Sequence, residues 1–120
     1  LPGGRFQLTK FYDVMSAYPV LGEGPNRWSE YELKLAMALH GKSKHYSVRN
    51  IQRRHFTSTA RKVGYGDSAE PLIEDILERT PAVIAEVRNA LPEGFNQPVA
   101  DTILNGLQAA AQRLAEMPAN

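Results

Sequence analysis

The chain has 120 residues, with 14 Lys and Arg against 13 Asp and Glu and no cysteine. That is the length of one modest domain, and 42% hydrophobic with 22% charged residues argues for a packed core over bulk disorder. Without cysteine there is no disulfide framework and no thiolate metal site, and no apolar run approaches the roughly 18 residues that span a membrane.

The opening "LPGGRFQL" reads as a Gly-Gly turn feeding a strand over residues 5–9, where Phe6 and Leu8 alternate with Gln7 and Thr9. There is no initiator Met, and a start at a turn points to a piece of a longer chain. No basic stretch followed by an apolar core opens the sequence, so no signal peptide is read and a soluble, cytoplasmic protein is expected. Asp13 opens a short segment that ends before Pro19. "LGEGPNRWS", residues 21–29, reads as an exposed loop from its two Gly and one Pro, with Trp28 as its anchor.

Helix propensity and periodicity disagree over residues 33–49. Leu, Ala, Met and Lys favour helix, yet Leu33, Leu35, Met37 and Leu39 alternate with Lys34, Ala36 and Ala38. A period of two favours a strand, and Gly41–Lys44 supplies the turn of a β-hairpin. From residue 50 on the pattern is helical. Asn50 can cap a helix carrying Ile51, Phe56, Ala60 and Val63, stopped at Gly64. Asp67 or Ser68 caps the next, with Glu70 in the first turn where the helix dipole favours an acid. Its apolar positions run through Leu72/Ile73, Ile76/Leu77, Val83/Ile84, Val87 and Leu91. Pro81 either restarts a helix capped by Thr80 or kinks a single one. Asn96 caps a last helix with Val99, Ile103, Leu107, Ala110, Leu114 and Met117 on one stripe. The expected fold class is mainly α with a small β-hairpin (α+β): a strand and loop segment over 1–49, then a helical bundle over 50–120.

The net charge of +1 conceals an asymmetry. Residues 34–62 hold Lys34, Lys42, Lys44, Arg49, Arg53, Arg54, Arg61 and Lys62, all three His (His40, His45, His55) and no acid. Residues 63–120 carry the larger share of the acids. The two halves either attract each other as solvated faces or offer a basic surface to an anionic partner. Tyr46 and Phe56 are too few for a base-stacking platform. The spacing of the histidines gives no helical metal-ligand pattern, and no phosphate-loop, dinucleotide or nucleophile-elbow motif occurs.

Asp13 in "LTKFYDVMSAYPV" stands alone as an acid among aromatic and apolar residues. Local physics offers a cap for the N–H groups of residues 15 and 16. An acid just after a strand can also hold Mg²⁺ against phosphates, since that ion takes one or two carboxylates and fills its shell with water and phosphate oxygens. The run "GGRFQLTKFYDVMSAYPVLGEGPNRWS" resembles the C-terminal lobe of the HipA-type toxin kinases, bacterial Ser/Thr kinases of type II toxin–antitoxin modules. The similarity continues through "LKLAMALHGKSKHYSVRNIQRRHF" and "TARKVG" and weakens over the final helices. The resemblance implies a helical C-lobe portion of a protein-kinase-like fold, with Asp13 of "LTKFYD" as metal-binding and cofactor-binding acid for Mg²⁺ and ATP. Lys10 stands where many members have Pro, on the loop before the acid. The family's catalytic loop, nucleotide-covering loop, phosphate-binding Lys and N-terminal lobe have no counterpart in these 120 residues, so no catalytic residue is assigned and the chain alone is expected to be inactive.

By the same resemblance the parent chain transfers the ATP γ-phosphate to a protein hydroxyl and arrests growth. Its substrate would be a translation component such as an aminoacyl-tRNA synthetase. It would be neutralised by a helix-turn-helix antitoxin (HipB-like) and reach DNA through that antitoxin. The alternative is a non-catalytic helical interaction module that binds an antitoxin or DNA through the basic 34–62 zone. Exposed Tyr12, Tyr18 and Trp28 would favour a homodimer of the piece.

Overall fold

The computed structural model describes residues 10–12 and 14–119. The strand expected over residues 5–9 and the carboxylate of Asp13 lie outside the described residues. The fold is α+β and mostly helical: a two-stranded antiparallel hairpin and three α-helices. Among the described residues no helix is long and apolar enough to cross a membrane.

The hairpin expected from the period-two pattern forms as β1 (Lys34–His40) and β2 (Lys44–Ser47). Its register pairs Lys34 with Ser47, Leu39 with His45 and His40 with Lys44, with a bulge between the first two pairs. Alternation gives the strand here but not deep burial, since Leu35 and Met37 are both exposed.

Helix α1 (Arg53–Lys62) starts later than an Asn50 cap would place it. Val48–Asn50 are already a 3-10 turn, and Ile51 is extended and buried. Gln52 is therefore the capping position, and its N–H donates to Nδ1 of His55 at 3.1 Å. The expected stop holds. Gly64 has φ +74°, its N–H donates to the Arg61 carbonyl, and the Tyr65 N–H reaches back to the Ala60 carbonyl. That pair of bonds satisfies the last carbonyls around a left-handed glycine.

Helix α2 (Glu70–Ala90) runs through Pro81 without a break, so Thr80 is not a cap. Its hydroxyl donates instead to the Ile76 carbonyl at 2.6 Å, one turn back. Pro81 withdraws the N–H that the Leu77 carbonyl would receive. The helix persists because Ile73, Thr80 and Ile84 are buried on one side of it. At its start the capping position is Ala69, not Asp67 or Ser68 as expected; Ser68 Oγ, one residue earlier, accepts the Glu70 N–H at 3.1 Å. Helix α3 (Gln97–Glu116) is capped by Asn96, whose Oδ1 accepts the Val99 N–H as expected. Ala100 and Leu104 are its most buried residues, one step round from the stripe read in the sequence.

The core is small. Ala60, Ala69 and Ile73 are buried together, with Phe56, Leu77 and Leu114 packed on them. Helix α1 carries β1, while α2 carries α3. The α1–α2 corner is held by polar groups. The Thr57 hydroxyl accepts the Ala69 N–H at 3.1 Å, Arg61 Nε donates to the Asp67 carbonyl, and buried Arg53 donates to Glu70 through Nε at 2.8 Å.

Candidate functional site

The segment around the expected metal acid is anchored from its C-terminal side. Tyr18–Val20 form a 3-10 turn with Pro19 inside it, and the Tyr18 N–H donates to Ser16 Oγ at 3.3 Å. The turn lies against α3. Its seat is Gly106. A Cβ at that position would stand 2.5 Å from Tyr18 Cγ and Cδ2, so only a hydrogen there admits the ring. Met15, Ser16 and Ala17 follow the same side of α3 and share a cleft with Ile103 and Leu107. To either side of residue 13 the chain is largely solvent-facing, and Met15 borders its cleft from the outside. Phe11 is 94% exposed, and Tyr12, Val14 and Met15 are exposed as well.

The loop over residues 21–28 closes on itself through backbone. The Trp28 N–H donates to the Val20 carbonyl at 2.9 Å and the Gly22 N–H to the Trp28 carbonyl at 3.0 Å. Arg27 Nη1 donates to the Pro19 carbonyl at 2.7 Å. Trp28 thus anchors the loop by its main chain. Its indole, 67% exposed, does not fill a core. Ser29 caps the next turn, Glu30–Glu32, and Tyr31 lies under the Arg49 guanidinium at 3.9 Å.

The basic 34–62 zone divides into two sets. Arg53 is 7% exposed and paired with Glu70, Arg61 holds the corner loop, and Arg49 sits on Tyr31. Lys34, Lys42, Lys44, Arg54 and Lys62 are exposed and make no ion pair among the described residues. The oppositely charged halves meet in one described ion pair, Arg53–Glu70. The other two, Arg79–Asp75 and Arg88–Asp101, lie inside the acidic half.

The sequence reading did not bring two histidines together, and the fold does. The rings of His45 and His55 stack with centroids 3.9 Å apart and planes 11° from parallel. His55 is 3% exposed. Burial holds its pKa below the ordinary 6.5, and the charges of His45 and Arg54 press it further down. The signal available in the sequence was three imidazoles in a stretch without a carboxylate. Likewise Gly106, a glycine inside a good helical pattern, signalled a close approach. Among the described residues no three His, Asp or Glu side chains gather as a metal site. No family model matches the chain.

Proposed function

We propose that residues 8–29 are the metal-acid segment of a HipA-type Ser/Thr kinase lobe and that β1, β2 and the helices are the scaffold behind it. The reading rests on the motif resemblance, and one observation carries it furthest. The turn that follows the acid is locked to α3 by Tyr18 on Gly106, while Phe11, Tyr12 and Val14 face solvent. A segment fixed on one side and apolar on the open side suits an acid presented at the edge of a larger active site.

A single carboxylate fits an ion that shares its shell with phosphates and is too few for an all-protein cage. In this reading Asp13 would hold Mg²⁺ beside ATP, and the ion would supply positive charge for the phosphates. The chain's own contribution is to position that carboxylate. Base, phosphate cradle and nucleotide cover would come from elsewhere in the parent chain, and the 120 residues alone would not transfer phosphate.

The test is phosphotransfer from labelled ATP with Mg²⁺, using the longest open reading frame that contains these residues. Transfer by that product, its loss in Asp13→Ala, and silence of the 120-residue chain are expected. Retained transfer in Asp13→Ala removes that residue from the site. An inactive parent removes the kinase reading.

A second reading, binding of DNA or an antitoxin by the basic zone, is favoured by the five unpaired exposed cations. The relevant measurement is affinity for duplex DNA against salt, where several phosphate contacts give a steep fall. No binding at low salt would leave these lysines and Arg54 as a solvated face.

A further inference from the structure

We propose that the stacked His45–His55 pair is an acid-operated latch: with the His55 ring uncharged it holds the tip of the hairpin on α1, and on acidification that ring charges, gives up a helix cap and lets the tip go.

Three contacts define the latch. The first is the ring stack itself, which joins β2 to the first turn of α1. The second is the cap. Nδ1 of His55 accepts the Gln52 N–H at 3.1 Å, so Nδ1 is unprotonated and the ring proton sits on Nε2. An imidazolium carries hydrogen on both nitrogens. Protonated His55 would therefore turn a donor toward the Gln52 donor, and the bond would be lost. The third is the fit at Gly41. A Cβ there would lie 2.9 Å from His45 Nε2 and 3.1 Å from His55 Cδ2, so the turn is pressed against both rings. A hydroxyl completes the joint: Thr59 Oγ1 accepts the His40 N–H at 2.8 Å and donates to the His55 carbonyl at 2.7 Å.

The groups around the pair are mostly cationic and offer an added proton little compensation. The hairpin contributes His40, Lys42, Lys44 and His45, the 3-10 turn after it contributes Arg49, and α1 contributes Arg53 and Arg54. Residues 34–62 contain no acid. Two carboxylates come near from other elements: Glu70 of α2, engaged by Arg53, and Glu116 of α3, which shares a groove with Gln52, Arg53 and Arg54 and accepts from Gln112. Charging the buried His55 ring places a cation in a poorly solvated contact among other cations, which is unfavourable. A stack that holds a neutral His55, and a released, hydrated His55 imidazolium, are thus the two states.

Amide hydrogen exchange on the ¹⁵N-labelled chain tests this, each rate corrected for the intrinsic pH effect. Between about pH 7.5 and about pH 5.5 the amides of 40–47 and of the first turn of α1 should lose protection about fivefold, with those around Leu104 in α3 unchanged. His55→Gln keeps an acceptor for the Gln52 N–H and cannot charge, and His45→Phe keeps a stacking ring. His55→Gln should flatten the pH response, and His45→Phe, which leaves the cap and the burial of His55 in place, should only reduce it. Unchanged protection in the wild type overturns the latch, as does a pH response in His55→Gln equal to that of the wild type or a loss spread evenly into α3. Should a variant fail to fold, imidazole proton shifts of the wild type decide. A His55 ring that titrates at or above its ordinary 6.5 refutes the latch, and one displaced to lower pH supports it.

Discussion

The hairpin–α1 unit and the α2–α3 pair are built from the same chain by different means. In the first, the residues turned inward on α1 are Arg53, His55 and Thr57 together with Ala60. In the second, Ile73, Ile84, Ala100 and Leu104 are buried, and one ion pair, Arg88–Asp101, bridges the helices at the surface. Apolar contacts are insensitive to pH and are weakened little by losing one atom's partner. Polar latches stabilise only while both partners are present and correctly protonated. The first unit is therefore the part of the molecule that a single charge can open.

Arg53 offers the largest effect. Removing it leaves the Glu70 carboxylate partly buried with no counter-ion, and Glu70 Oε1 already has no hydrogen-bond partner among the described residues. Arg53→Ala should cost about 3–5 kcal/mol in urea denaturation. The double change Arg53→Met with Glu70→Leu should recover most of that, because it removes both charges and keeps volume. A single change that costs under 1 kcal/mol would mean the corner is held by Thr57 and apolar contacts instead.

Gly106→Ala comes next and works on the other region. In an exposed helix interior this change is favourable by nearly 1 kcal/mol. Here the new methyl meets the Tyr18 ring near its root, where the side chain cannot swing aside cheaply. A net loss of about 1–3 kcal/mol is expected. Combined with Tyr18→Ala the sign should reverse, and a double-mutant cycle measures the difference. Additive effects would show that the turn after residue 13 is not seated on α3.

The pH dependence separates the two regions most directly. His55 binds a proton less readily folded than unfolded, first because it is buried and then because His45 and Arg54 repel. Its contribution is whole above its ordinary 6.5 and is lost as pH falls from there toward the lower folded value. Asp101 is also lowered, by the hydrogen bond from Arg88 and then that from Gln97. Its contribution is present above the ordinary 3.8 and fades only as pH falls through the acid range below it. Stability followed by circular dichroism against pH should therefore fall in two steps, and His55→Gln should erase only the upper one.

These differences explain what the sequence disclosed. The hairpin, the Gly64 stop and the Asn96 cap were legible because each rests on residues near one another in the chain. The start of α1 was misplaced because its cap is a histidine ring and not a short polar side chain at Asn50. The continuity of α2 through Pro81 is a tertiary result, decided by which side of the helix is buried. The buried set of α1 was hidden for the same reason: Arg53, His55 and Thr57 look like surface residues until Glu70, His45 and the Ala69 N–H are brought to them. The seat of the turn after residue 13, Tyr18 on Gly106, joins residues far apart in the chain, and the sequence carried only the lone helical glycine as a sign of it.

The smallest effect sharpens the comparison most cleanly. Arg79 and Asp75 form a one-turn pair at 2.9 Å, with side chains 72% and 54% exposed. In atoms and distance this resembles the Arg53–Glu70 contact. Water already solvates both charges, so Arg79→Ala should cost only about 0.3 kcal/mol and less in high salt. Arg53→Ala should keep most of its cost in high salt, since counter-ions do not enter a buried contact. If the two arginines cost the same, or if salt erases both effects alike, burial is not what makes the α1–α2 corner sensitive, and the polar latch loses its physical basis.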